Sequence, residues 1–315
     1  MSAVVVATDF GGPEVLSVID QPAGEPGPGE VRLAVRAAGV NPIDYKVYSG
    51  LFGRDPAQLP RRLGSEAAGV VTAVGPDAVG PAGPVSVGDE VIVYPAPGAY
   101  ASDLVVPASS VVPKPARLSW AEAGGLLLTG VTAAHTLAAV GLQAGETVLL
   151  HGAAGGVGLT AIQLASARGA TVLATASPAR HDRLRELGAV PIAYGPGLLD
   201  RVRAAAPQGV DAAVDLVGTD EAVDTSIALV ADRSRIATIA AFGRAGGLGI
   251  KALGGGPGAD PGTEIRAAAR RQLTRAAEDG TLRVVVAGTY PLAEAAAAHR
   301  EIIAGHTSGK LVLLP

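Results

Sequence analysis

The segment Leu149-Leu150-His151-Gly152-Ala153-Ala154-Gly155-Gly156-Val157-Gly158 constrains the fold more than any other. An apolar strand over 147–150 runs into a glycine-rich turn, and apolar residues at helical spacing follow over 159–168. A strand, a tight turn and a helix in that order imply a crossover to a parallel neighbour. The turn has the form A-x-G-x-x-G, with Ala153 where a first glycine would stand. Gly155 lets backbone approach a pyrophosphate, and Gly158 lets the helix pack closely on the strand. The helix N-terminus adds N–H donors and a favourable dipole for an anion. Gly152, Ala153, Ala154, Gly155, Gly156, Val157 and Gly158 are therefore the expected cradle of a dinucleotide. Glycine supplies 43 of the 315 residues, so it is the strand–turn–helix context, not the glycines, that carries this reading.

The flanking pattern extends it. Strands are expected over 171–174, 192–194, 212–217 and 235–240, alternating with helices over 179–187, 198–206 and 220–231. That alternation predicts a doubly wound parallel sheet. The first 120 residues read differently, as short β runs over 3–7, 31–35, 69–74 and 90–94 with Gly/Pro breaks at 24–29 and 80–84. After a long amphipathic helix over 262–279 come a strand over 282–286, a helix from Pro291 and a strand over 310–313, which return to the first unit. The expectation is an α/β protein with a β-rich domain of residues 1–120 and 281–315 and a Rossmann domain of residues 121–280. The stretch 254–262 is expected to be a loop without a functional role.

The chain has no cysteine, which removes disulfides, thiolate catalysis and every Cys-ligated metal site. Lys plus Arg number 25 against 29 Asp plus Glu, a net charge of −4. That balance argues against nucleic acid or an anionic membrane as partner. The longest uncharged stretch, 123–145, contains Thr129, Thr132, His135, Gln143 and several glycines, and reads as buried soluble structure, not a membrane span. The first cationic residue is Arg32, so the basic flank of a signal peptide is missing and a cytoplasmic location is expected.

The second strand of the parallel unit selects the cofactor. A site for NAD carries an acid about 20 residues beyond the turn, bonding the ribose 2′-hydroxyl. Here the strand ends Ala174-Thr175-Ala176-Ser177, without one. Ser177 can donate to a 2′-phosphate and Arg180 can neutralise it, so NADPH is the expected cofactor. Ser177, ahead of Pro178, also suits a helix N-cap.

Several further stretches share one pattern. They are Phe10-Gly11-Gly12-Pro13-Glu14-Val15-Leu16, Ala38-Gly39-Val40-Asn41-Pro42-Ile43-Asp44, Gly64-Ser65-Glu66-Ala67-Ala68-Gly69, Val87-Gly88-Asp89-Glu90-Val91, Asp215-Leu216-Val217-Gly218 and the run from Gly305 to Leu313. With the nucleotide turn, they make the chain resemble the zinc-free quinone oxidoreductase branch of the medium-chain dehydrogenase/reductase superfamily. The resemblance runs nearly end to end. It implies a GroES-like catalytic domain, an inserted Rossmann domain, a homodimer, and hydride transfer from NADPH to a quinone or an α,β-unsaturated carbonyl. Other activities on the same scaffold are a biosynthetic enoyl reductase or cyclase-type reductase, and a non-catalytic, crystallin-like NADPH-binding protein. Zinc relatives place a Cys where this chain has Asn41 and a His where it has Ser65, so no metal is expected.

The resemblance also implies site residues. Asn41 is expected near the nicotinamide, bonding its carboxamide or the substrate carbonyl. Lys46 and Phe52 stand where quinone reductases often have Tyr; Lys46 can polarise a carbonyl, Phe52 lines the substrate, and Tyr45 or Tyr48 can supply a proton. Thr132, Val217, Gly218, Ala241 and Phe242 are expected along the cofactor, Tyr194 beside the adenosine 2′-phosphate and Lys310 where the tail nears the cofactor. His299 is expected to be structural.

Overall fold

The computed structural model describes residues 1–256, 258–305 and 307–315. Pro257, in the loop expected over 254–262, and His306, in the last of the shared stretches, lie outside the described residues. The chain divides into two compact units. One comprises Met1–Leu128, Arg270–Gly280 and Val284–Pro315, the other Thr129–Ala269 and Thr281–Arg283.

The first unit is built on a seven-stranded sheet. Its order is Val111–Pro113, Glu90–Val93, Ala67–Val74, Glu30–Val40, Lys310–Leu314, Val286–Pro291, with Asp103–Pro107 also pairing with Glu30–Val40. Glu30–Val40 shows why these residues make strands: Val31, Leu33 and Val35 alternate inward on a period of two and join one apolar core with Val71, Val91, Val93 and Leu313. Register then sets up the site. Leu311 lies opposite Val40 and Ala38 opposite Ala67. Asn41, Glu66 and Lys310 thus converge from three strand ends.

The second unit carries six parallel strands in the order Val190–Ala193, Thr171–Ala176, Thr147–His151, Ala212–Asp215, Ile236–Thr238, Lys251–Ala252. In chain order this is 3-2-1-4-5-6, the doubly wound Rossmann order. Val148, Leu149 and Leu150 are all buried, as strands covered on both faces require. The order reverses between Thr147–His151 and its two neighbours, so the crevice at the carboxyl ends of those strands is where such sheets bind ligands.

Three expectations need correction. The strand expected over 282–286 lies instead at Val286–Pro291. Arg283 is held by side-chain bonds: its N–H donates to Gln163 Oε1 and its carbonyl accepts from Gln163 Nε2. The division expected after 120 and 280 also shifts. Helix Trp120–Gly124 packs so closely on Glu30–Val40 that a Cβ on Gly124 would lie 2.8 Å from that of Ala37. Within helix Thr263–Glu278, Arg270 donates to the carbonyls of Tyr94 and Ser109 at 2.8 Å, tying 270–280 to the first unit. Finally, the helix expected over 179–187 is a 3-10 turn, Pro178–Arg180, followed by Helix His181–Glu186. Among the described residues no helix is long and apolar enough to cross a membrane.

Candidate active site

In the second unit the turn has the geometry of an anion cradle. Gly155 caps Helix Gly156–Ala167 with φ −77° and ψ 168°. The Ala153 N–H is taken by the Thr175 carbonyl and the Gly152 N–H by Thr175 Oγ1. The N–H groups of Gly156, Val157 and Gly158 have no acceptor among the described residues, as the first turn of a helix leaves them. A Cβ on Gly158 would lie 2.5 Å from Ala153 backbone, so this glycine serves helix–strand packing. A Cβ on Gly155 would find nothing closer than Gly152 O at 3.6 Å. Gly155 is thus not required by packing; it leaves open the space where a pyrophosphate would approach the three N–H donors. The residues fit a dinucleotide phosphate on this ground.

Around the turn, Asp215 is buried and its Oδ1 accepts the N–H groups of Val217 and Gly218, while Oδ2 accepts from Thr238 Oγ1 at 2.7 Å. It orders the loop expected to follow the cofactor. Ser177 is half-buried and its hydroxyl makes no cap bond, so the N-cap role is not taken up by its side chain. Arg180 closes the same turn, half-buried. Tyr194 is 60% exposed. Ala241 is buried, and Phe242 starts a helix with its ring against Gly256. Thr132 is buried, and its Oγ1 accepts from Arg266 at 3.3 Å. Arg266 also donates through Nε to His135 Nδ1, and His135 Nε2 meets Asp260 Oδ2 at 3.2 Å. The sequence reading missed Arg266, His135 and Asp260, because they meet only through tertiary packing.

In the first unit, Asn41, Glu66 and Lys310 form one buried network. Lys310 Nζ donates to Asn41 Oδ1 at 2.5 Å, Glu66 Oε1 at 3.0 Å and Val40 O at 3.1 Å. Asn41 Nδ2 donates to Glu66 Oε1 and Gly39 O, both at 3.1 Å, and Leu128 N–H donates to Glu66 Oε2. Asn41 is 1% exposed, Glu66 0% and Lys310 4%. This corrects two expectations. Both Asn41 amide hydrogens are spent, so it offers no donor to a carboxamide or carbonyl. Lys310 is neither solvated nor free for a cofactor, because Glu66 needs its charge.

Next to it lies a second network. Asp44 accepts from Ser65 Oγ at 2.7 Å, Tyr100 OH at 2.9 Å and Asn41 N–H at 2.9 Å. Tyr100 OH contacts His299 Nε2 at 3.2 Å, and Tyr48 OH contacts His299 Nδ1 at 2.7 Å. Burial raises the Asp44 carboxyl to about 6 and lowers His299 to about 4, and it pushes the Tyr48 phenol up. Tyr48, sealed in the core, is therefore not a group that reaches a substrate. Tyr45 is partly buried against the same core. The Lys46 carbonyl accepts from Ser49 Oγ at 3.0 Å, while its half-buried side chain makes no hydrogen bond or ion pair among the described residues; Phe52 is 53% exposed. His299, expected to be structural, is fully buried and joins two tyrosines to the Asp44 cluster.

Residues 27–116 match the family model of the alcohol dehydrogenase GroES-like domain, and residues 187–313 that of the zinc-binding dehydrogenases. The chain is 38% identical to the quinone oxidoreductase of Pseudomonas aeruginosa over 328 aligned positions, covering 97% of each protein. The chain belongs to the quinone oxidoreductase branch of the medium-chain dehydrogenase/reductase superfamily. Two solved structures resemble it across nearly their whole length. A mycobacterial protein complexed with NADPH matches with a TM-score of 0.86 at 35% identity over 100% of both chains. The Escherichia coli quinone oxidoreductase, also complexed with NADPH, matches with 0.86 at 27% identity over 99% of this chain and 100% of its own. The zinc named in the second family model does not fit this quinone oxidoreductase-type chain. It has no cysteine, no three His, Asp or Glu side chains cluster for a metal among the described residues, and Asn41 and Glu66 are already committed to an ammonium.

Proposed function

We propose that the protein is an NADPH-dependent reductase of quinones or α,β-unsaturated carbonyls that works without zinc. The observation that carries the reading is the open cradle at Gly155 beneath three unspent N–H donors. NADPH, when bound, supplies the hydride. Gly155 to Gly158 would hold its pyrophosphate, Ser177 and Arg180 its 2′-phosphate, and Thr132 would lie along its nicotinamide end. The choice of NADPH is supported by the missing acid after Thr171–Ala176, by the uncommitted Ser177 hydroxyl and by the NADPH complexes of the two neighbours. Lys46 is the cation available to stabilise charge building on a carbonyl oxygen.

Three measurements test this. NADPH oxidation should depend on an acceptor from a panel of quinones and enones and should persist after exhaustive chelation; no acceptor-dependent oxidation would overturn the reading. Gly155→Val should weaken NADPH by about 100-fold, or about 2.7 kcal/mol, since the side chain fills the pyrophosphate space. The fold should survive, because the φ of −77° suits any residue and no atom stands closer than 3.6 Å. Unchanged affinity by calorimetry would make the turn merely structural. Arg180→Ala should weaken NADPH by roughly 10-fold, within the range of about 1–3 kcal/mol for a charge-assisted bond, and leave NADH nearly unchanged. Equal losses for both would remove Arg180 from the 2′-phosphate site.

A further inference from the structure

The buried file Ser65–Asp44–Tyr100–His299–Tyr48 has a direction that its role as core packing does not need. Tyr100 has a single hydroxyl hydrogen, which it gives to Asp44 Oδ2. Its contact with His299 Nε2 must then have the imidazole as donor. The ring is neutral, its protonation lowered by burial, so Nδ1 is the acceptor and Tyr48 donates to it. The hydrogens of Tyr48, His299 and Tyr100 therefore all point towards Asp44 Oδ2, which also takes the Asn41 N–H. The other oxygen, Oδ1, has one partner only among the described residues, the Ser65 hydroxyl at 2.7 Å. A proton bound by Asp44 is thus confined to Oδ1, facing Ser65. Asp44, Tyr100, His299 and Tyr48 are fully buried, whereas Ser65 is only half-buried. The file opens at Ser65 alone.

We propose that Ser65 is the catalytic proton donor of this enzyme, with Asp44 recharging it and Tyr100, His299 and Tyr48 acting as positioning residues that keep the Asp44 proton on the Ser65 side. This rests on the enone-reductase reading. After hydride has added to the β-carbon of an enone, the enolate takes the Ser65 hydroxyl proton at its α-carbon. The new C–H bond forms as the Oγ–H bond breaks and the electron pair of the enolate C=C is used, restoring the carbonyl. Ser65 Oγ takes the Asp44 proton, and the resulting carboxylate is reprotonated from solvent before the next turnover. The sum is enone plus NADPH plus one proton, giving ketone plus NADP⁺.

The test uses an α-methyl-substituted enone in D₂O with the full-length protein. The wild type should give one enantiomer labelled at the α-carbon. Ser65→Ala should turn over about 10²-fold more slowly, the low end for a lost general acid, and give racemic product with NADPH affinity by fluorescence unchanged. Ser65→Thr, which keeps the hydroxyl, should restore both rate and enantiomer. Tyr48→Phe should melt cooperatively and lower kcat without raising KM. Ser65→Ala giving a single enantiomer at the wild-type rate, or unchanged kcat for Tyr48→Phe, would overturn the proposal while leaving the reductase reading intact. A wild type that reduces no enone or quinone would overturn both.

Discussion

Lys310→Met should destabilise the protein by about 3–5 kcal/mol, the usual cost of removing one partner of a buried ion pair. The Glu66 carboxylate would be left 0% exposed with, among the described residues, only the Asn41 amide and the Leu128 N–H as donors. Methionine replaces the stem but not the charge, so the loss should reflect the stranded carboxylate more than a cavity. Urea denaturation should show the midpoint falling with little change in slope. Adding Glu66→Gln should recover part of the loss, because a neutral amide tolerates burial better. A loss under about 1 kcal/mol, the surface-pair range, would mean that the ammonium is solvated and the network loose.

Acidification should unfold the protein through two buried histidines. His151 and His299 are each held at about 4 by burial, against an ordinary 6.5. The unfolded chain therefore binds more protons than the folded one between those values. The stability from keeping the rings neutral is fully present above 6.5 and is lost as pH falls towards 4. Each ring accounts for roughly 3 kcal/mol once fully expressed. Asp44 works in the opposite sense, because its folded value of about 6 lies above the ordinary 3.8, so it gains stability as pH falls through that window. Two rings against one carboxyl leave a net loss of roughly 3 kcal/mol near pH 4. Urea midpoints measured from neutral to about pH 4 should decline, and His299→Gln should flatten the decline. Midpoints that rise on acidification would refute the assignment of both rings as neutral and buried.

The parts of this molecule that were legible from its sequence are those whose partners lie nearby in the chain. The turn Gly152 to Gly158 sits between its own strand and helix, and the alternation around it dictates a parallel sheet whatever the distant residues do. Lys310 could not be placed that way. Its partners Asn41 and Glu66 lie 269 and 244 positions away, and only the register of Leu311 opposite Val40 brings them together. His299 is similar, 251 positions from Tyr48, and on an alanine-rich helix it shows no pattern that marks a polar cluster. Asn41 shows a further limit. Its position was readable, but whether its amide was free depended on an ammonium from the far end of the chain. The strand expected over 282–286 failed for the same reason, since Gln163 claims the Arg283 backbone.

The strand Lys310–Leu314 lies between Glu30–Val40 and Val286–Pro291 and brings the cation that Glu66 requires. On the ribosome, residues 30–74 emerge long before it. Domains tend to fold as units as they emerge, so the parallel-sheet unit, nearly continuous over Thr129–Ala269, can close while the first-made strands still lack their inner neighbour. The polar heart of the first unit is therefore completed only when position 310 has cleared the exit tunnel. The strands made first thus wait for a partner made almost last.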